Sequence, residues 1–170
     1  MSRRLLRRTM VVFLALSTAC GSGAPPAPPS LLGTWSRAND RLTSILAFFR
    51  SGDTLAFRWL RRASDGRRRV DCNWDGSCIE LLDGRKVGEY RCSVLPGATE
   101  TRASVRCDGW LDEGKRLDMS WTDDFELVSA ETLKCWTREA NGQKYTGLAR
   151  PLRTFAKVSR SVADPPRPGS

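Results

Sequence analysis

The 170-residue chain contains no histidine. That absence removes the Ser-His-Asp and Cys-His nucleophile systems, the usual catalytic zinc sites and most haem ligation. No glycine-rich phosphate loop occurs either. Carboxylates stand next to each other at Asp112-Glu113 and Asp123-Asp124, but neighbours on a strand point to opposite faces, so both pairs read as turn residues rather than acid/base couples. Nothing in the sequence near Cys135 would serve as a base to activate it. An enzyme is therefore not expected, and neither a metal nor a cofactor. Lysine is scarce and arginine carries most of the positive charge. No apolar run approaches the ~20 residues that cross a bilayer, and no segment carries an apolar helical stripe three turns long.

What is present starts with Arg3, Arg4, Arg7 and Arg8, then an apolar run from Met10 to Leu16, then the small residues Ser17, Thr18 and Ala19. This is the layout of a secretory signal over residues 1–19. Cys20 follows at once. The junction resembles the lipobox of bacterial lipoproteins, in which the cysteine thiol receives diacylglycerol and becomes the first residue of the mature chain. Ser17 stands where that family usually has leucine, with Leu16 one place further out, so cleavage by the ordinary secretory peptidase is the alternative. Arg3-Arg4 also resembles a twin-arginine signal, but without the rest of that motif export of the unfolded chain is expected.

Residues 20–30 hold no large apolar side chain and mix flexible Gly and Ser with stiff proline, the composition of a tether. The resemblance implies a membrane partner reached through the lipid anchor. Gly21 is not the aspartate that retains such lipoproteins at the inner membrane, so a cell-envelope location at the outer membrane, facing the periplasm, is expected. The chain carries 28 Lys and Arg against 19 Asp and Glu, and without the four arginines of the leader the balance is +5. An exported, tethered protein seldom meets a duplex, and nucleic acid is not an expected partner. The run Arg61-Arg62-Ala-Ser-Asp-Gly-Arg67-Arg68-Arg69 reads as a solvated hairpin tip, with anionic headgroups or glycans as its functional alternative.

One domain's worth of chain remains over residues 31–160, followed by a proline-rich tail, 161–170, expected to be disordered. The domain reads as all-β. Gly66, Gly76, Gly84, Gly114 and Gly142 sit in Asp-Gly, Glu-Gly or Asn-Gly pairs that signal hairpins. Between them the apolar period is two: Leu55, Phe57 and Trp59 share a face opposite Arg58, and Leu117, Met119 and Trp121 oppose Arg116, Asp118 and Ser120. An antiparallel up-and-down meander of this size removes its edges by closing into a barrel, with an open β-sandwich as the alternative.

Gly33-Thr34-Trp35 resembles the Gly-x-Trp signature that opens lipocalins and related calycin barrels. The resemblance implies that Trp35 closes one end of the barrel against an arginine of the last strand, Arg150 or Arg153. A plain core aromatic is the other reading of Trp35. Trp121-Thr-Asp-Asp-Phe125 departs from the Thr-Asp-Tyr motif of many lipocalins, which favours a lipocalin-like architecture over membership.

With Cys20 given to lipid, Cys72, Cys78, Cys92, Cys107 and Cys135 remain, an odd number in an oxidising compartment. A three-residue loop Trp74-Asp75-Gly76 sets Cys72 opposite Cys78. Pairing Val94 with Val105 sets Cys92 opposite Cys107 and Tyr90 opposite Gly109. Two cross-strand bridges and a buried, unpaired Cys135 follow, and a bridge from Cys135 to Cys72 or Cys107 stays open.

Two non-enzymatic functions fit. A tethered barrel would bind a small apolar or amphipathic ligand at a mouth lined by Phe57, Trp59, Met119 and Trp121. A protein-binding module would act through Asn141-Gly-Gln-Lys-Tyr145, which resembles the Ser-Gly-x-x-Tyr loop of membrane-bound inhibitors of C-type lysozyme. Gly142 and Tyr145 match, Asn141 replaces the serine, and the net positive charge opposes a basic lysozyme. A barrel packed solid would leave a structural envelope role without ligand.

Overall fold

The computed structural model describes residues 28–39, 41–112, 114–146 and 152–159. The leader, Cys20, most of the tether, Arg150 and the 161–170 tail lie outside them. The described residues contain no helix; eleven strands make one antiparallel sheet. They are β1 (Gly33–Asn39), β2 (Leu42–Ser51), β3 (Thr54–Ala63), β4 (Arg68–Cys72), β5 (Ser77–Leu82), β6 (Arg85–Val94), β7 (Arg102–Asp112), β8 (Arg116–Ser129), β9 (Thr132–Ala140), β10 (Gln143–Lys144) and β11 (Leu152–Ser159). Neighbours in sequence pair in order from β1 to β9, then β9 pairs with β11 and β11 with β1. The hydrogen bonds thus form a ring, with β10 added beside the end of β9. One continuous sheet is found, not the two of a sandwich.

The five predicted hairpin glycines all adopt positive φ in turns, from 71° at Gly66 to 96° at Gly114. At Gly76 no side chain fits: a Cβ there would stand 2.2 Å from the Cys92 carbonyl oxygen, while the Gly76 carbonyl accepts from the Cys92 N–H at 2.8 Å. This ties the β4–β5 loop onto β6. Cys72 pairs with Cys78 and Cys92 with Cys107 in the predicted registers, and both disulfides are formed. Val94 faces Val105 and Tyr90 faces Gly109 as well. Cys135 is buried and free.

Inside the ring the core is aromatic. Phe48, Phe57 and Phe125 meet pairwise with centroids 5.2–5.7 Å apart, the tilted and edge-on geometries that ring quadrupoles favour. Leu46, Val105, Leu133 and Phe155 complete it. The opposite parity of β2 and β3 is covered too: Phe49 packs edge-on against Trp74 at 4.9 Å, and the Arg58 guanidinium lies 4.7 Å from the same indole while donating to the Cys72 carbonyl.

One end of the ring is sealed. Leu31, 1 % exposed, donates its N–H to the Glu100 carbonyl, and its own carbonyl accepts from the fully buried Trp35 indole at 2.8 Å. Among the described residues a cation against Trp35 does come from the last strand, but it is Lys157, 4.6 Å from the ring centroid, and not Arg153; Arg150 lies outside them. Alternation explains the swap: Arg153, Phe155 and Lys157 share the inward face of β11, and Lys157 is the one level with Trp35 in the register. Arg153 sits nearer the other end.

Asp123 and Asp124 are a second correction. They lie in mid-β8, not in a turn: Asp123 points inward and is buried, whereas Asp124 points outward to Ser104 and Arg138. Leu117, sharing a face with Met119 and Trp121, is 54 % exposed because the β7–β8 hairpin runs on past the core.

Candidate functional site

Toward the unsealed end, where the β1–β2, β3–β4 and β5–β6 turns gather, the interior opens into a cavity of about 210 Å³. Its floor is apolar: Leu46, Phe57, Phe125 and Phe155. Trp59 of β3 and Trp121 of β8 form the walls above, with ring centroids 6.2 Å apart, and Tyr90 packs edge-on against Trp121 at 5.1 Å. Three of the four predicted lining residues, Phe57, Trp59 and Trp121, are thus brought together. Met119 lines an adjoining pocket of about 280 Å³ that shares Trp59 and Trp121 with the first.

Charged side chains share this apolar interior. Arg153 of β11 donates to the Asp123 carboxylate at 2.6 Å and to the Thr137 hydroxyl at 2.9 Å, and Thr137 in turn donates to Asp123 at 2.8 Å. The triad joins β8, β9 and β11 where the ring closes. Burial disfavours the charge on Arg153, but Cys135 and Asp123 beside it outweigh that cost and hold its pKa above the ordinary guanidinium value. Across the ring, Glu80, only 4 % exposed, accepts from both Arg68 and the Tyr90 hydroxyl. Burial, then the bond to Glu80, pushes the Tyr90 pKa up.

The arginine run is solvated as expected, with Arg61, Arg62, Arg67 and Arg69 exposed, yet Arg61 also borders the interior. The turn itself spans 64–67, but Arg61 pairs with Val70 one strand position in and faces both pockets. Partial withdrawal from water lowers its pKa, with Glu80 opposing the shift. Arg37 of β1 lines the cavity as well. Among the described residues neither Arg37 nor Arg61 has an ion-pair partner, because Glu80 is engaged by Arg68 and Asp123 by Arg153. Sequence reasoning missed Arg37 and Asp123 as cavity-lining groups and Arg61 at the mouth, and it placed Arg153 against Trp35 rather than beside Asp123. Parity carried the signal: Arg61 stands two residues beyond Trp59, and Asp123 lies between Trp121 and Phe125 on one alternating row.

The Asn141–Gly142 pair makes a tight turn in which both residues have positive φ. Asn141 exchanges backbone and side-chain hydrogen bonds with Ser120 at 2.7 and 2.9 Å, which fastens this loop to β8. Tyr145 is half-buried, its N–H bonded to the Arg138 carbonyl. Compared with known protein families, with curated proteins and with solved structures, the chain matches none.

Proposed function

We propose that this chain is a lipid-anchored cell-envelope protein whose strand ring is a lipocalin-like barrel that binds a small amphipathic ligand in its interior, by binding and not by catalysis. The cavity of about 210 Å³ carries the reading. A sheet closed only for stability would fill this volume with side chains, as close-packed interiors do; here aromatic walls instead surround open space that leads to a charged mouth. Its size lies below the ~300–1,000 Å³ of pockets for drug-sized molecules, so the ligand is small. The Gly-x-Trp resemblance implies an arginine of the last strand against Trp35; the Trp35–Lys157 stack at the sealed end keeps the strand but not the residue, and so lends the lipocalin-like architecture only partial support.

Native mass spectrometry of the gently purified chain tests the binding reading, with a co-purifying small lipid as the expected result. Quenching or enhancement of Trp59 and Trp121 fluorescence on adding short-chain amphiphiles is the second readout. No bound species together with no fluorescence response across such a series defeats the reading. The anchor is tested apart from it by membrane fractionation: Cys20→Ser is expected to leave the pellet, and equal retention of both forms sinks lipidation.

A further inference from the structure

We infer that the ligand of the interior site is an anionic amphiphile, its short apolar chain on the aromatic floor and its acidic head group held by Arg61 with Arg37; this rests on the binding reading above. The charge ledger of the two adjoining pockets carries the inference. Arg37, Arg61, Arg68 and Arg153 face them, opposed by Glu80 and Asp123. Both carboxylates are committed, Glu80 to Arg68 and Tyr90, Asp123 to Arg153 and Thr137. Two guanidiniums are left over at the mouth, Arg37 half-buried and Arg61 exposed, with both nearby carboxylates already taken, so an incoming anion is the partner still open to them.

Position agrees with charge. On β3 the inward row runs Phe57, Trp59, Arg61, from core to mouth, so a molecule lying along it meets apolar surface first and a cation last. A guanidinium fork suits an oxyacid head group, which it meets with two parallel N–H donors. Length follows from volume. At ~30 Å³ per water-sized unit the cavity of about 210 Å³ holds a chain of several carbons, with the head outside it at the arginines.

The test uses octanoate, octan-1-ol and octyltrimethylammonium, equal in chain length and different in head group, titrated below their aggregation limits into the delipidated full chain and followed by tryptophan fluorescence and calorimetry. Octanoate is expected to bind at least about tenfold more tightly than the alcohol, the ratio that one good charge-assisted hydrogen bond produces, and the ammonium weakest of the three. Arg61→Gln should bring octanoate to within about threefold of the alcohol while leaving the alcohol's affinity unchanged, and Arg61→Lys should keep part of the preference. Arg62→Gln, one residue along on the outward face, should change nothing. Equal binding of acid and alcohol to the parent chain, or a preference untouched by Arg61→Gln, overturns the inference and leaves the binding reading standing. Binding of none of the three overturns both.

Discussion

The Sγ atoms of Cys78 and Cys92 lie 3.9 Å apart, which sets the two disulfides end to end across β4, β5, β6 and β7. The Cys92–Cys107 bridge spans 15 residues and Cys72–Cys78 spans 6. Chain-entropy arguments then give about 3 kcal/mol for the longer loop and about 2 kcal/mol for the shorter. Paired Cys→Ser replacement of Cys92 and Cys107 should therefore lower the urea midpoint more than paired replacement of Cys72 and Cys78. The reverse order would mean that the chain-entropy difference does not govern.

The same contact predicts an exchange. In Cys107→Ser the freed Cys92 thiolate stands against Cys78; attack on that sulfur forms a Cys78–Cys92 bond and releases Cys72 as the thiol. Non-reducing peptide mapping of this variant should find Cys78–Cys92 alongside the parental Cys72–Cys78. Recovery of the parental bridge alone would show that the strands hold the sulfurs out of line.

Gly109 is required by its neighbour across the ladder. A Cβ there would lie 2.0 Å from the Glu89 carbonyl oxygen and 2.7 Å from Tyr90 Cα, both backbone atoms that cannot rotate away. Overpacking of this kind typically costs about 1–3 kcal/mol. Gly109→Ala should lower stability by at least that amount, whereas Gly97→Ala, with open space around its Cβ and only an unfavourable φ of 90° to bear, should cost less. Chemical denaturation of the two variants makes the comparison.

Much of this framework was legible because β-structure writes its rules locally. The Asp-Gly and Asn-Gly pairs marked the hairpins. Val94 and Val105, with Cys92 and Cys107 two residues further along the same ladder, fixed one register, since a slip by a single residue would have turned one strand's apolar set outward. The charged interior was harder to read. Arg61 stands in a run of arginines most of which face solvent, and Asp123 beside Asp124 looks like a loop until the fold shows one facing in and the other out. The partner of Asp123, Arg153, comes from a strand distant in sequence, so nothing local announces it. Lys157 took the expected arginine's place because strand parity, not residue type, decides which side chain reaches Trp35.

The Arg153–Asp123 pair closes the ring and should show coupling. Arg153→Met alone leaves a carboxylate that is 8 % exposed with only the Thr137 hydroxyl as its hydrogen-bond partner. Removing one member of a fully buried pair costs about 3–5 kcal/mol, and the 30 % exposure of the Arg153 side chain reduces this to about 1–3 kcal/mol. Adding Asp123→Leu should restore part of the loss. A double-mutant cycle by urea denaturation measures it, and purely additive effects would show that the pair does not couple.

Cys135 predicts a loss of stability in alkali. Burial first, and then the negative charge of Asp123, pushes its thiol pKa far above the ordinary value, with Arg153 opposing. An unfolded cysteine titrates near ~8.5. Below that pH both states hold the proton and the thiol makes no difference. As pH rises past it, the unfolded chain releases the proton and the folded chain does not, so the equilibrium moves toward unfolding by up to ~1.4 kcal/mol per pH unit. Tyr90, also raised, adds the same sign only once pH passes the ordinary tyrosine value of 10.0. The window from about pH 8.5 to 10 therefore belongs chiefly to Cys135. Urea midpoints measured at pH 7.5, 8.5 and 9.5 should fall in the parent chain and fall less in Cys135→Ala, and iodoacetamide should label Cys135 only after unfolding. Equal slopes in the two proteins would assign the alkaline loss to other groups.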